Sequence, residues 1–172
     1  GLIEEIDKEE LLLATKLGQS IRFGSDNVRA TGRDTMGVKA ITLKEGDSVV
    51  SAMLIKDRDG MILTMTENGY GKRTSVSEFK IQNRGGKGVK CYNIIEKTGN
   101  VVGMKAIDTQ DEIMMITTEG IIIRINCADI SVLGRITSGV KLMNISEEHI
   151  SVASITKVRE TAEEEGTEDI VE

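Results

Sequence analysis

The chain has 172 residues, enough for one core or for a short array of repeats. It has no proline or tryptophan and only 2% aromatic residues, which excludes a single-strand binder built on stacked bases. The net charge of -6 is unevenly spread: seven acids and one base fall in 159–172 and five acids with Lys8 in 1–10, leaving a body of 16 acids and 20 bases.

A mildly basic body with an acidic tail suits a regulated binder of polyanions, and equally a solvated surface followed by a disordered end. Cys91 and Cys127 lie far apart in apolar contexts and form no metal-ligand spacing with the single His149, so buried reduced thiols are expected and no metal or cofactor is. No apolar run reaches membrane-spanning length and the start has no secretory pattern. A cytoplasmic protein with no membrane contact is the expectation.

Laid against itself at an offset of 51, the chain aligns Gly18 with Gly69 and Gly120, and Gly37 with Gly88 and Gly139. The same offset aligns Arg22, Arg73 and Arg124; Arg33, Arg84 and Arg135; Val38, Val89 and Val140; and Lys39, Lys90 and Lys141. Three copies of one unit follow, with boundaries at 1–56, 57–107 and 108–158, and an acidic tail at 159–172. The tail has too few apolar residues to fold alone, so disorder is predicted there.

Each unit opens with an apolar strand (11–15, 61–66, 113–117), turns at the aligned glycine and returns as a second strand (19–23, 71–74, 121–125). A polar, glycine-containing loop leads to a third strand (38–43, 89–95, 140–145) and a fourth (49–55, 101–107, 150–155). No segment has sustained helical periodicity. The predicted fold is all-β and propeller-like: three four-stranded blades of about fifty residues, each burying its faces on its neighbours.

The most basic stretch runs from 69 to 90, where Lys72, Arg73, Lys80, Arg84, Lys87 and Lys90 face one acid, Glu78. Within it, Gln82, Asn83, Arg84, Gly85, Gly86, Lys87 and Gly88 form a loop whose glycines permit close backbone approach and whose cations suit phosphate-like oxygens. The same residues also make a tight inter-strand turn with solvated charges. Arg22, Arg73 and Arg124 lie on strands among apolar neighbours, where pairing with a carboxylate between blades is the simpler expectation.

Catalysis is not expected. Gly85 to Gly88 lacks the spacing of a phosphate-binding P-loop, and His149 has no evident partners for general-base work.

The Gly-Val-Lys repeat, Gly-Asp-Ser-Val-Val at 46–50, Asn-Gly-Tyr-Gly-Lys-Arg-Thr at 68–74, Ile-Met-Met-Ile-Thr at 113–117 and the acidic end together resemble the C-terminal domains of DNA gyrase A subunits. The resemblance covers nearly the whole chain. It implies a β-pinwheel whose basic rim wraps duplex DNA, of which these three blades and tail would be the C-terminal half. Gln82 to Gly88 is similar to that family's box motif, with Asn83 in place of an arginine and in the middle blade rather than the first. Duplex contact by Arg84 and Lys87 is carried over, but not the box's full role in wrapping.

The expected DNA-contact set is Arg84, Lys87, Lys90, Lys72, Arg73, Arg33, Lys39, Arg135 and Lys141. Neither Tyr70 nor Tyr92 has the context of the family's DNA-cleaving tyrosine, so this chain should not cleave DNA or hydrolyse ATP, while the parent enzyme the resemblance implies does both in supercoiling. The implied partners are double-stranded DNA, the gyrase B subunit, and the remainder of the gyrase A subunit. Self-association through exposed end blades is also expected. The C-terminal domain of topoisomerase IV and a propeller-like protein-interaction scaffold are the alternative readings.

Overall fold

A computed structural model describes residues 9–28, 36–145 and 149–158. Its elements repeat with the sequence. In the first unit β1 (Glu10–Thr15) and β2 (Gln19–Gly24) form a hairpin, followed by β3 (Val49–Ile55). The second unit has β4 (Met61–Thr66), β5 (Tyr70–Ser75), β6 (Val89–Lys90) and β7 (Val101–Ile107). The third has β8 (Glu112–Thr117), β9 (Ile122–Asn126), β10 (Val140–Lys141) and β11 (Val152–Lys157).

The hairpins share one local cause. Gly18, Gly69 and Gly120 have φ of 82°, 82° and 79°, a left-handed conformation that glycine adopts without a Cβ penalty. Each donates its amide to the carbonyl of the threonine three residues earlier, at 3.1, 3.1 and 3.0 Å. The hydroxyls of Thr15, Thr66 and Thr117 in turn accept from the amides of Gln19, Tyr70 and Ile121. Three-residue connections ending in a left-handed glycine are a common hairpin solution. Beyond each hairpin the chain makes one 3-10 turn, at Ser25–Asn27, Val76–Glu78 and Cys127–Asp129.

The strands form sheets ordered β3-β1-β2-β6, β10-β5-β4-β7 and β11-β8-β9. The all-β, propeller-like expectation holds, with one correction to how the units are assembled. The predicted third strands do not extend over 89–95 and 140–145, and none forms over 38–43; only Val89–Lys90 and Val140–Lys141 are strands. Each of these pairs with the sheet of the preceding unit, β6 on β2 and β10 on β5.

The physical reason lies just beyond each short strand. The amides of Cys91 and Tyr92 both converge on the Gly18 carbonyl, and those of Leu142 and Met143 on the Gly69 carbonyl. Successive amides of an extended strand point to opposite sides, so this convergence ends the ladder. The outer strand of a sheet therefore comes from the next unit. Among the described residues nothing supplies one to β9, and the third sheet has three strands instead of four.

The cores sit between sheets. Leu12, Ala14 and Ile55 pack with Ile62, Val76, Phe79, Cys91, Tyr92, Val101 and Met104 across the first junction. Leu63, Met65 and Ile107 pack with Ile113, Met115, Cys127, Ile130, Met143, Val152 and Ile155 across the second. The central strand β4 is accordingly buried on both faces, whereas β8 alternates between buried and half-buried. Contacts of β7 with β3 and β11 bring these strands together as the inner edges of the three sheets, leaving β6 and β10 on the opposite, outer edge. The predicted disordered tail lies outside the described residues.

Candidate nucleic-acid interface

The loop Gln82–Gly88 is built as a latch on the first unit. The Gln82 amide donates to the Arg22 carbonyl at 2.7 Å, the Gly85 amide to the Ala40 carbonyl at 2.7 Å, and the Thr42 amide to the Gly86 carbonyl at 2.8 Å. The Thr42 hydroxyl adds a bond to the Gly85 carbonyl at 2.7 Å. A Cβ on Gly88, whose φ is 73°, would stand 2.2 Å from the Ser20 carbonyl oxygen, so the glycine is required by backbone contact between units.

Arg84 reinforces this latch. Its Nε donates to the Asn27 carbonyl at 3.0 Å and its Nη1 to the Lys39 carbonyl at 2.6 Å. One unit later, Arg135 donates from Nη1 to the Lys90 carbonyl. Both arginines are half-buried. The expectation that Arg84 and Arg135 are free for DNA contact is therefore modified, because each uses part of its guanidinium to hold the unit before it, whereas Lys87 on the loop is exposed.

The second junction is held in addition by a buried lysine. Lys72 is 0% exposed and donates from Nζ to the carbonyls of Gly134, Arg135 and Thr137 at 2.9, 2.7 and 2.9 Å, and to the Thr137 hydroxyl at 3.2 Å. The Tyr92 ring centroid lies 4.8 Å from the same nitrogen. Burial pushes the Lys72 pKa down to about 8, so it still carries its charge at neutral pH. Nearby, the Tyr92 hydroxyl donates to the Ser138 carbonyl, and the Ser138 hydroxyl donates to the Asn93 carbonyl at 2.7 Å.

Lys72 and Arg73, both expected at a DNA surface, are thus turned inward. Arg73 is 9% exposed and donates to the carbonyls of Ile130 at 2.6 Å and Ala128 at 3.3 Å. The other strand arginines pair with carboxylates: Nε of Arg22 donates to Glu10 and Nε of Arg124 to Glu112, each at 2.6 Å. At the corresponding place in the second unit stands Met61, and among the described residues the Arg73 side chain is held by backbone carbonyls. Sequence reading missed Lys72 as a latch, although the offset of 51 aligns it with Ile21 and Ile123 at an inward-facing register.

Four of the nominated cations are exposed: Lys39, Lys87, Lys90 and Lys141. Lys90 and Lys141 end β6 and β10, on the outer edge of their sheets, and Lys39 is their counterpart in the first unit. Arg33 lies outside the described residues. Asn83 and Gly86 are exposed on the latch, and Gln82 is half-buried.

Nucleophilic chemistry has no support at the two cysteines. Both are buried and free, and burial pushes each thiol up to about 11, far from the thiolate form at neutral pH. Among the described residues no group of three or more His, Cys, Asp and Glu is placed to hold a metal ion, and no helix is long and apolar enough to cross a membrane.

Comparison with known proteins gives a consistent set of similarities. The family model described as DNA gyrase C-terminal domain, beta-propeller, matches residues 9–56, 60–108 and 111–156. The DNA gyrase A subunit of Staphylococcus aureus (strain NCTC 8325 / PS 47) is 42% identical over 163 residues, covering 94% of this chain and 18% of that protein. The chain thus spans less than a fifth of the length of the curated relatives it matches.

Two solved structures are similar in fold. The C-terminal domain of DNA topoisomerase IV superposes with a TM-score of 0.82 at 30% identity, covering 88% of this chain and 47% of that one. The DNA gyrase A C-terminal domain does so with a TM-score of 0.80 at 31% identity, covering 88% and 51%.

Proposed function

Since this chain belongs to the DNA gyrase C-terminal-domain family of β-propeller modules, we propose that it binds and bends duplex DNA through the outer edge of its sheets. The observation that carries this reading is the recurrence of one exposed lysine per unit, Lys39, Lys90 and Lys141, at an offset of 51, with exposed Lys87 beside the second. A regular row of cations suits a regular row of phosphates.

Lysine ammonium groups contact the backbone and carry no sequence information, and among the described residues no α-helix or exposed aromatic is offered to the bases. Binding is therefore backbone-directed and largely independent of sequence. Smooth bending of 20–30 base pairs by 40–90° costs roughly 1–6 kcal/mol, which one basic loop does not offset and a repeated one does. Lys72, Arg73, Arg84 and Arg135 serve this surface indirectly by fixing the spacing of the units, and the repeat position of Arg33, shared with Arg84 and Arg135, groups it with them rather than with the exposed lysines.

In the parent protein this module supports ATP-dependent negative supercoiling in the bacterial cytoplasm, together with the gyrase B subunit, the remainder of the gyrase A subunit, and the DNA they act on; the chain itself neither cleaves DNA nor hydrolyses ATP.

Energy transfer between dyes on the two ends of a duplex of a few tens of base pairs tests the reading. Binding with a rise in transfer is expected. Binding without it would reduce the function to phosphate contact, and absence of binding at low salt would remove it.

A further inference from the structure

Each outer edge carries a second backbone contact from the following unit, besides β6 and β10. Ile81 forms a parallel bridge with Arg22 on β2, and Val132 forms one with Arg73 on β5. The Gln82 amide donates to the Arg22 carbonyl at 2.7 Å and the Leu133 amide to the Arg73 carbonyl at 2.8 Å, while the Arg73 amide donates to the Ser131 carbonyl at 2.9 Å. Ile81 and Val132 share one repeat position at the offset of 51, so the backbone fixes both in the same way.

The two side chains nevertheless stand in solvent, Ile81 56% and Val132 52% exposed. The unit that carries Ile81 packs on a neighbour at each side, through separate cores. Its exposure is therefore a property of the outer edge and persists where both neighbours are in place.

Register sets their separation from the lysines. On β2, Lys90 stands opposite Gln19 and Ile81 opposite Arg22; on β5, Lys141 stands opposite Tyr70 and Val132 opposite Arg73. Three strand positions, or about 10 Å, divide aliphatic from cation on both edges. Lys80 beside Ile81 and Lys87 on the latch are exposed as well. Apolar side chains set among cations match a polyanion that shows apolar surface between its charges, as duplex DNA does in the deoxyribose rings between phosphates. At this separation a lysine on a phosphate leaves the aliphatic side chain over the sugars of nearby nucleotides.

We propose, resting on the duplex-binding reading of the outer edge, that Ile81 and Val132 are its apolar contacts, packed against deoxyribose between phosphates held by Lys90 and Lys141. The lysines set how steeply affinity falls with salt, because they release counterions. The aliphatic pair adds a part that salt leaves in place, because it comes from apolar burial. The contact also favours DNA over RNA, whose 2′-hydroxyl would be desolvated against a methyl group.

Duplex titrations across a salt series, with the 172-residue chain and its Ile81→Thr/Val132→Thr variant, test this. Threonine keeps the branched Cβ that suits an edge position, so circular dichroism is expected to be unchanged. The variant's line of log affinity against log salt is expected to run parallel to the native line and about tenfold lower throughout. An RNA duplex of the same sequence is expected to bind the native chain more weakly than DNA, and the variant is expected to lose several-fold of that preference. Coincident lines, a changed slope, or an unchanged preference for DNA would each overturn the assignment of these two side chains while leaving the duplex-binding reading in place. A native chain that binds neither duplex at low salt would remove both.

Discussion

The Nη1 of Arg84 lies 2.6 Å from the carbonyl oxygen of Lys39, and Arg135 makes the same bond to the carbonyl of Lys90 one repeat later. The guanidinium of one cation thereby orients the backbone that carries another, exposed cation. The two residue types divide the labour: arginine fixes the geometry of the outer edge and lysine presents charge from it.

This division predicts different costs for two neighbouring substitutions. Arg84→Ala removes two bonds from a charged donor and is expected to cost about 1–2 kcal/mol of stability. Lys87→Ala, on the exposed part of the same loop, should stay within about 0.5 kcal/mol while weakening duplex binding. Urea denaturation of both variants measures the first difference and a binding titration the second.

Two ion pairs at the same repeat position should behave differently. Arg22 and Glu10 have side chains only 6% and 3% exposed, and Arg22 also donates to the Val76 and Phe79 carbonyls of the next unit. Glu10→Ala leaves that guanidinium buried without its carboxylate and is expected to cost about 3–5 kcal/mol. Arg124 is 58% exposed, so Glu112→Ala should cost no more than about 1 kcal/mol. Denaturation midpoints of the two variants give the comparison.

Lys72 gives the second junction a pH dependence of definite sign. Its pKa falls from 10.5 to about 8 on folding, so between those values the unfolded chain binds more protons and stability rises with pH. Cys91 and Cys127 act in the opposite direction at alkaline pH, because their thiols are raised to about 11. The Lys72 contribution is isolated by comparison with Lys72→Met. The stability of the native chain relative to that variant should be flat below pH 8 and rise above it, by at most about 1.4 kcal/mol per pH unit. A relative stability that falls over pH 8–10 would show that the ammonium form is the one the Gly134–Thr137 carbonyls prefer.

Much of this arrangement was legible in the sequence. The aligned glycines marked the hairpin turns, and the apolar runs marked the first strand of each hairpin. The offset could not say which sheet a segment joins. Val89-Lys90 is equivalent to Val140-Lys141 whether each stays in its own unit or crosses to the one before, and the crossing is decided by the bonds of Cys91 and Tyr92 to Gly18. Charge was misleading at Lys72 and Arg73 because a cation in a basic run looks exposed. Its true setting is given by the backbone carbonyls it faces, which no side-chain pattern records. The alignment of Lys72 with Ile21 and Ile123 did hold the signal, since a period-two register places all three inward.

Lys39, Lys90 and Lys141 are the residues on which the proposed phosphate binding turns, and duplex affinity across a salt series tests their role most directly. With the native chain, log affinity should fall linearly with log salt; with Lys39→Ala/Lys90→Ala/Lys141→Ala the slope should become less negative by about 0.9 for each phosphate no longer neutralised, or about 2.7 in all. An unchanged slope in the triple variant would contradict this assignment and move the DNA surface away from the outer edge.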